Sequence, residues 1–570
     1  MAIQMLLLLI FTVNFDQIQS TDTEVIQTKS GKVRGQVKSS SIPGVKAQAF
    51  RNIPYAEAPV GPLRFEKPQA KKPWNETRNS TDVNIACFQK YISGYNLTED
   101  CLILNVWTPY PAPTNATVMV YIHGGSFRSS SSGEQRHNGA NFVAVGDVIL
   151  VTINYRLSAL GFLSTGDERI KGNLGLYDQR LAMKWVKENI AAFGGNAKTI
   201  TLFGLSAGAA SVSAHTLSPE SWPYFDRVIL QSGNMLTPWA LLTEADRKRV
   251  ADNFLKAVNC NNDERVLECL KTNVTKETLE KIYKTKPFPL EKLQFSPVVD
   301  REFLKDHPLK LFRSGQVKNS RILLGVMKDE GYFVYDTILW QTRDIATITQ
   351  QFKNSVRTQY KNMTAVAEYA IQLYTPECTP TFIEAFRPLV DIASDILFTC
   401  ATRLEAILRS TMMQEVYLYR YSYPTPVPNS AYPMGQLGFA AHGADFLSSF
   451  GLTINHPTFP AEDQILSMRV ILYWTNFAKT GNPNSGNTML PLVLNNVSSL
   501  PTWPPHTSSK EEYLDMRSLS QMVVGTKLRE KYCEFLMDPA GVIMRTSTNT
   551  ASRNFGHLLL FGIALLYTIF

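Results

Sequence analysis

The chain has 570 residues, 44% of them hydrophobic and 19% charged, with 32 Gly and 31 Pro, which excludes a disordered, collagen-like or multi-span membrane chain. Its net charge of +8 comes from 57 Lys and Arg scattered among 49 Asp and Glu, a solvated surface rather than the footprint of a nucleic-acid binder. The length would allow several domains, although large α/β enzymes often exceed the usual domain size in one piece.

In chain order, residues 5–13 (MLLLLIFTV) form a short apolar run, followed by polar residues and the small Ser20. That is the form of a signal peptide over residues 1–20, although no Lys or Arg precedes the run. From Val118 to Phe203, strand-like apolar runs alternate with a helical pattern: VMVYIHGG (118–125), VILVTINYRL (148–157), the helical DQRLAMKWVKENIAAF (178–193), then TITLFG (199–204). Strands alternating with helices imply a parallel sheet covered on both faces. Further core strands are expected at RVIL (227–230), RILLGV (321–326) and VYLYRY (416–421), with long loop and helical insertions over 236–319 and 327–414. No internal repeat or long linker interrupts the pattern, so one α/β domain over 21–547 is expected. Residues 558–570 are apolar to the end, after small residues at Ser547, Thr548 and Asn549. Thirteen residues are too few to span a bilayer as a helix. The reading for 548–570 is a GPI-attachment signal, with a membrane tail or a packed helix as alternatives.

A secreted chain should also carry glycosylation sites and disulfides. Sequons stand at Asn75, Asn79, Asn96, Asn115, Asn273, Asn362 and Asn496, consistent with glycosylated surface loops. Seven cysteines allow three disulfides with one thiol left over, and spacing does not choose among the pairings. Nothing in the Cys and His pattern suggests a metal site, and no cofactor is expected.

The chemistry centres on Gly204-Leu205-Ser206-Ala207-Gly208, where a strand runs into a helix beginning with small residues. A Gly-x-Ser-x-Gly in that setting is a nucleophile elbow, its serine held in a tight turn that the glycines make room for. A serine hydroxyl attacks only when a base takes its proton and a carboxylate holds the base. On this fold the chain order is Ser, acid, His. His442, His456 and His506 follow Ser206 with room for an acid between. His442 is preferred because it follows the VYLYRY strand, whereas the other two sit in Pro-rich segments. Glu330 directly follows the RILLGV strand and is the candidate acid. His123-Gly124-Gly125-Ser126 after VMVYI supplies unobstructed backbone N–H groups for an oxyanion, with the Ala207 N–H as a further donor.

With those residues in place, the chain resembles type-B carboxylesterases, the cholinesterase-like branch of the α/β-hydrolase family, from about Val25 to Met537. The resemblance rests on IPYAEAPVGPLRF (53–65), EDCLILNVW (99–107), GNLGLYDQRLAMKWVKENIAAFGG (172–195), GLSAG (204–208), LQSG (230–233), GVMKDEG (325–331) and AAHGADF (440–446). It implies a large, mostly parallel central sheet flanked by helices, with a small N-terminal sheet. It implies Ser206 as nucleophile, Glu330 as acid, His442 as base, and an oxyanion hole from Gly125, Ser126 and Ala207. It also implies the bridges Cys87–Cys101, Cys260–Cys269 and Cys400–Cys533, with Cys378 free. The last would close a loop long enough to stabilise by about 4 to 5 kcal/mol in the loop-entropy model.

Two departures bear on the substrate. Leu205 stands where the family commonly has Glu, so cationic substrates lose an attraction. The segment between Cys87 and Cys101 holds no Trp, whereas cholinesterases carry a choline-binding Trp in a longer loop there. Trp239 falls in the family's acyl-pocket region and reads equally well as a core residue. The expectation is therefore a secreted, GPI-anchored serine carboxylesterase acting on neutral, apolar esters through an acyl-enzyme, with no nucleic-acid partner. An adhesion or recognition protein on the same fold is the alternative from another class. An acyltransferase using the same triad is indistinguishable from a hydrolase at this level.

Overall fold

The computed structural model describes residues 22–80, 83–89, 94–261, 264–284, 295–378, 381–426, 435–486 and 501–539. The expected signal segment 1–20, the tail 548–570 and the Asn496 sequon lie outside the described residues.

The expected core strands form as strands Ala116–Ile122, Ile149–Ile153, Gly195–Leu205, Arg227–Gln231, Ile322–Met327 and Val416–Tyr421. They lie side by side in the order 149, 116, 195, 227, 322, 416, all parallel, and Glu512–Met516 extends the parallel run. Such strands are buried on both faces, which is why they read as continuous apolar runs. The small sheet expected at the N-terminus is hydrogen-bonded through to the central one. Asp22–Gln27, Lys32–Ser39, Lys46–Pro54 and Ile103–Tyr110 pair antiparallel in that order, and Ile103–Tyr110 joins Ile149–Ile153. A separate pair, Ile85–Cys87 with Asn96–Thr98, stands outside the main sheet. Met522–Thr526 closes the far edge, antiparallel to Glu512–Met516.

Side chains alternate across the sheet with period two. Val118, Val120 and Ile122 enter one core with Ile200, Leu202 and Val228, covered by Leu174–Asn189 and Ala207–Thr216. Met119 and Tyr121 enter the other with Phe203 and Ile229, covered by Ala140–Gly146 and Ala461–Thr480. A third cluster packs the insertion helices Ile345–Gln359, Thr364–Tyr374 and Phe382–Ser394 against Tyr332, beyond the end of Ile322–Met327. The bridges are Cys87–Cys101, Cys260–Cys269 and Cys400–Cys533, and Cys378 is free and exposed. Asn75, Asn79, Asn96, Asn115, Asn273 and Asn362 are all exposed. Among the described residues no helix is long and apolar enough to cross a membrane.

Candidate active site

Loops at the C-terminal ends of parallel strands are where open α/β sheets place their ligands, and every candidate residue lies on one. Ser206 sits between strand Gly195–Leu205 and helix Ala207–Thr216 with φ 59° and ψ −124°. A non-glycine residue there costs about 1 to 3 kcal/mol and persists only when its surroundings fix it. They do: the Ser206 N–H donates to the Gln231 carbonyl at 2.8 Å, and the Ser206 carbonyl accepts from the Ala210 N–H at 2.9 Å. The turn is so close that a Cβ on Gly208 would lie 1.9 Å from the Ile122 carbonyl oxygen, and one on Gly204 2.5 Å from the Gly208 backbone. Both glycines of the motif are thus required by close backbone approach.

Glu330 follows strand Ile322–Met327 and its side chain is fully buried. One carboxylate oxygen accepts from the Met327 N–H at 2.8 Å and the other lies 2.5 Å from His442 Nδ1. A carboxylate only accepts, so Nδ1 carries the proton and Nε2 keeps its lone pair. The neighbouring Asp329 stitches the two loops together. Its N–H donates to the Ala440 carbonyl, its carboxylate accepts from the Ala440 N–H at 2.8 Å, and it bridges to Ala441 in parallel fashion. Burial pushes the Asp329 carboxyl above its ordinary pKa, with Lys328 and Arg387 opposing; Arg387 lies 3.1 Å away.

The His442 loop also meets the serine turn, since a Cβ on Gly443 would lie 3.6 Å from Leu205 Cδ2. Ser206 Oγ and His442 make no hydrogen bond in this geometry, a contact that commonly tightens only around a bound substrate. His456 and His506 stay apart: His456 bonds within its own loop to Thr458, and His506 to the Glu512 carbonyl.

The glycine loop presses on the nucleophile from the other side. A Cβ on Gly124 would lie 3.1 Å from Ser206 Cβ, while Gly125 and Ser126 take φ values of 104° and 56°. The Gly125 carbonyl accepts from the Arg128 and Ser129 N–H groups. Among the described residues the Gly125, Ser126 and Ala207 N–H groups have no acceptor. His123 anchors the loop from beneath, donating from Nδ1 to the Gly124 carbonyl at 2.9 Å and stacking on Tyr155. Burial pulls its pKa down to about 4, so the ring is neutral at ordinary pH.

Two side chains that sequence reasoning missed complete the surroundings. Phe398 and Phe333 pack on the His442 ring with centroids 4.8 and 5.5 Å away. Phe398 lies in a π-helical turn, Asp395–Thr399, inside the helical insertion, where no periodicity marks it. Trp239, left undecided by sequence, belongs to this wall. Its ring packs on Phe398 at 5.6 Å, its Nε1–H donates to the Leu397 carbonyl, and it would lie 3.1 Å from a Cβ on Gly233, beside Ser206. Together with Leu205 these residues make the surroundings of Ser206 apolar.

Comparison with known proteins agrees with this geometry. The model of the carboxylesterase family matches residues 22–536. The chain is 34% identical over 559 residues to a Mus musculus protein named cholinesterase, covering 93% of this chain and 89% of that protein. A strained serine elbow, a buried carboxylate on a histidine and a match across almost the whole chain lead to one conclusion: the chain belongs to the carboxylesterase family of α/β-hydrolases, hydrolases of carboxylic esters.

Proposed function

We propose that the protein is a serine carboxylesterase whose nucleophile is Ser206. His442 takes the hydroxyl proton on Nε2 as Ser206 Oγ attacks the ester carbonyl, and Glu330 stabilises the imidazolium through Nδ1. The Gly125, Ser126 and Ala207 N–H groups receive the developing oxyanion. His442 then protonates the departing alcohol, and a water deprotonated by the same histidine releases the acid. The carrying observation is the buried Glu330 held 2.5 Å from His442 Nδ1 on a loop stitched to its own.

Leu205, Trp239, Phe333 and Phe398 favour a reacting end that is neutral and apolar, and Leu205 removes the acid that would attract a cationic one. Ser206→Ala should lower ester turnover by about a millionfold and abolish fluorophosphonate labelling; labelling that survives the substitution rejects the assignment.

We also propose that the protein is exported, loses residues 1–20, is glycosylated at the seven sequons and receives a GPI anchor in place of 548–570. Three disulfides and six exposed sequon asparagines support the oxidising compartment. Release from cells by a phosphatidylinositol-specific phospholipase tests the anchor, and retention with an intact C-terminal peptide refutes it.

A further inference from the structure

The 2.5 Å contact between Glu330 and His442 joins loops that follow two different strands, so neither loop alone sets its length. Both are held from outside by one face of helix Phe382–Ser394. Residues seven apart lie about two turns apart on the same side of a helix, and here Ser394 meets the acid loop while Arg387 meets the base loop.

On the acid side, Gly331 follows Glu330, and its N–H donates to Ser394 Oγ at 2.8 Å; the Ser394 hydroxyl donates in turn to the Val390 carbonyl at 2.7 Å. A Cβ on Gly331 would lie 2.5 Å from both Ala393 Cβ and the Val390 carbonyl oxygen, so the loop touches the helix with nothing between. On the base side, the Arg387 guanidinium lies over the Phe439 ring at 4.8 Å and points an N–H toward the Gly438 carbonyl at 3.5 Å. Phe439 also packs on Tyr332 and Phe386, with centroids 5.0 and 6.0 Å away. The segment leading into His442 is thus gripped by the helix and by the acid loop at once.

Arg387 holds that segment a second way, through Asp329. The Asp329 side chain is 1% exposed, and a carboxylate so withdrawn from water needs a counter-charge to stay ionised. Arg387 supplies one at 3.1 Å on Oδ1, leaving Oδ2 to accept from the Ala440 N–H at 2.8 Å. The Arg387 side chain is itself 31% exposed, so water screens the pair and its share of stability is small. The geometry it sets matters more, because displacing a catalytic group by about 1 Å costs as much as about a hundredfold in rate.

We propose that Arg387 is a positioning residue for His442: paired with Asp329 and packed on Phe439, it keeps the imidazole within reach of Glu330. This rests on the reading of Ser206, Glu330 and His442 as the triad.

The experiment measures turnover of phenyl acetate per active site, the sites being counted by fluorophosphonate labelling carried to completion. Arg387→Met should lower kcat by about tenfold or more while KM changes by less than about twofold. Arg387→Lys, which keeps a charge for Asp329, should recover part of the loss. Asp329→Asn should lower kcat in the same way, and joining it to Arg387→Met should cost no more than the larger single loss, since the two residues act as a unit. A residue that only stabilised the fold would lower the thermal unfolding temperature and leave kcat per labelled site alone. Should Arg387→Met not fold, Arg387→Lys and Asp329→Asn carry the same comparison. A second readout is the NMR resonance of the proton on His442 Nδ1, identified by its loss in His442→Gln; Arg387→Met and Asp329→Asn should move or broaden it. Absence of hydrolysis and labelling in the unmodified protein would reject Ser206 as nucleophile and leave that resonance to judge Arg387. An unmoved resonance, or a kcat per site within about twofold of the unmodified protein in both Arg387→Met and Asp329→Asn, overturns the proposal.

Discussion

Glu330 gives its two carboxylate oxygens to different tasks, one to the Met327 N–H and one to His442 Nδ1. Replacement by Gln keeps the size but removes one acceptor. If the amide nitrogen faces Nδ1 it donates, and the imidazole must take the tautomer whose proton points at Ser206. Glu330→Gln should therefore lower kcat by about ten-thousandfold with the fold intact; a loss under tenfold, measured on a protein with unchanged thermal unfolding, would remove Glu330 from the mechanism. As candidates, Ser206 and Glu330 stood out in the sequence because each closely follows a strand pattern, whereas His442, well past strand Val416–Tyr421, stood out through the order Ser, acid, His that this chemistry uses. Leu205 was legible as a departure. Phe333 and Phe398 were not, because packing on His442 depends on how the helical insertion folds back over the site, and a single Phe in a helix does not announce which neighbour it meets.

The turn that carries Phe398 is itself held from outside. In Asp395–Thr399, Asp395 is buried and accepts from the Arg529 guanidinium at 2.5 Å and from the Tyr374 hydroxyl at 2.9 Å. Arg529 precedes the C-terminal helix Glu530–Met537, which the Cys400–Cys533 bridge ties to the same insertion. A π-helical turn is an irregularity that recurs at functional sites, and here an ion pair and a disulfide fasten it from both ends. Arg529→Ala strands a buried carboxylate and should lower stability by roughly 3 kcal/mol, with Arg529→Lys recovering part of it. Urea denaturation checks this, and a loss below about 1 kcal/mol would mean the pair is solvated. Of this only the Cys400–Cys533 bridge was expected, through the family resemblance; the ion pair was not readable, since Asp395 and Arg529 are far apart in the chain and meet only after the insertion folds. The parallel strands were readable, burial on both faces making each a continuous apolar run. The small N-terminal sheet was expected only through the family resemblance, and neither its strands Asp22–Gln27 and Lys32–Ser39 nor Met522–Thr526 at the far edge was placed from the pattern, because their residues are largely exposed or part-exposed, with mixed polar and apolar sequence.

Across the molecule, buried titratable groups set opposing responses to pH. Burial pulls His123 down to about 4 and His137 to about 3. The unfolded chain protonates these histidines first, so their contribution to stability is whole above about pH 6.5 and drains as the pH falls toward those values. Asp445 acts in the other sense. It is buried behind His442, accepting from the Gln231 amide at 2.9 Å and the Tyr419 hydroxyl at 2.7 Å. Burial pushes its carboxyl up to about 6 despite those bonds, and Glu330 adds to the rise. The folded chain therefore holds a proton that the unfolded chain has released, and this contribution drains as the pH rises from about 4 to about 6. Asn at the same position can accept both hydrogen bonds through its oxygen and never ionises. Asp445→Asn should thus steepen the rise of stability with pH by about 1.4 kcal/mol per pH unit in that window. Relative to the unmodified chain, the variant should gain roughly 3 kcal/mol between pH 4 and pH 7. Urea unfolding of both proteins across the range measures it; parallel curves would show that Asp445 ionises in the folded protein as readily as in the unfolded one.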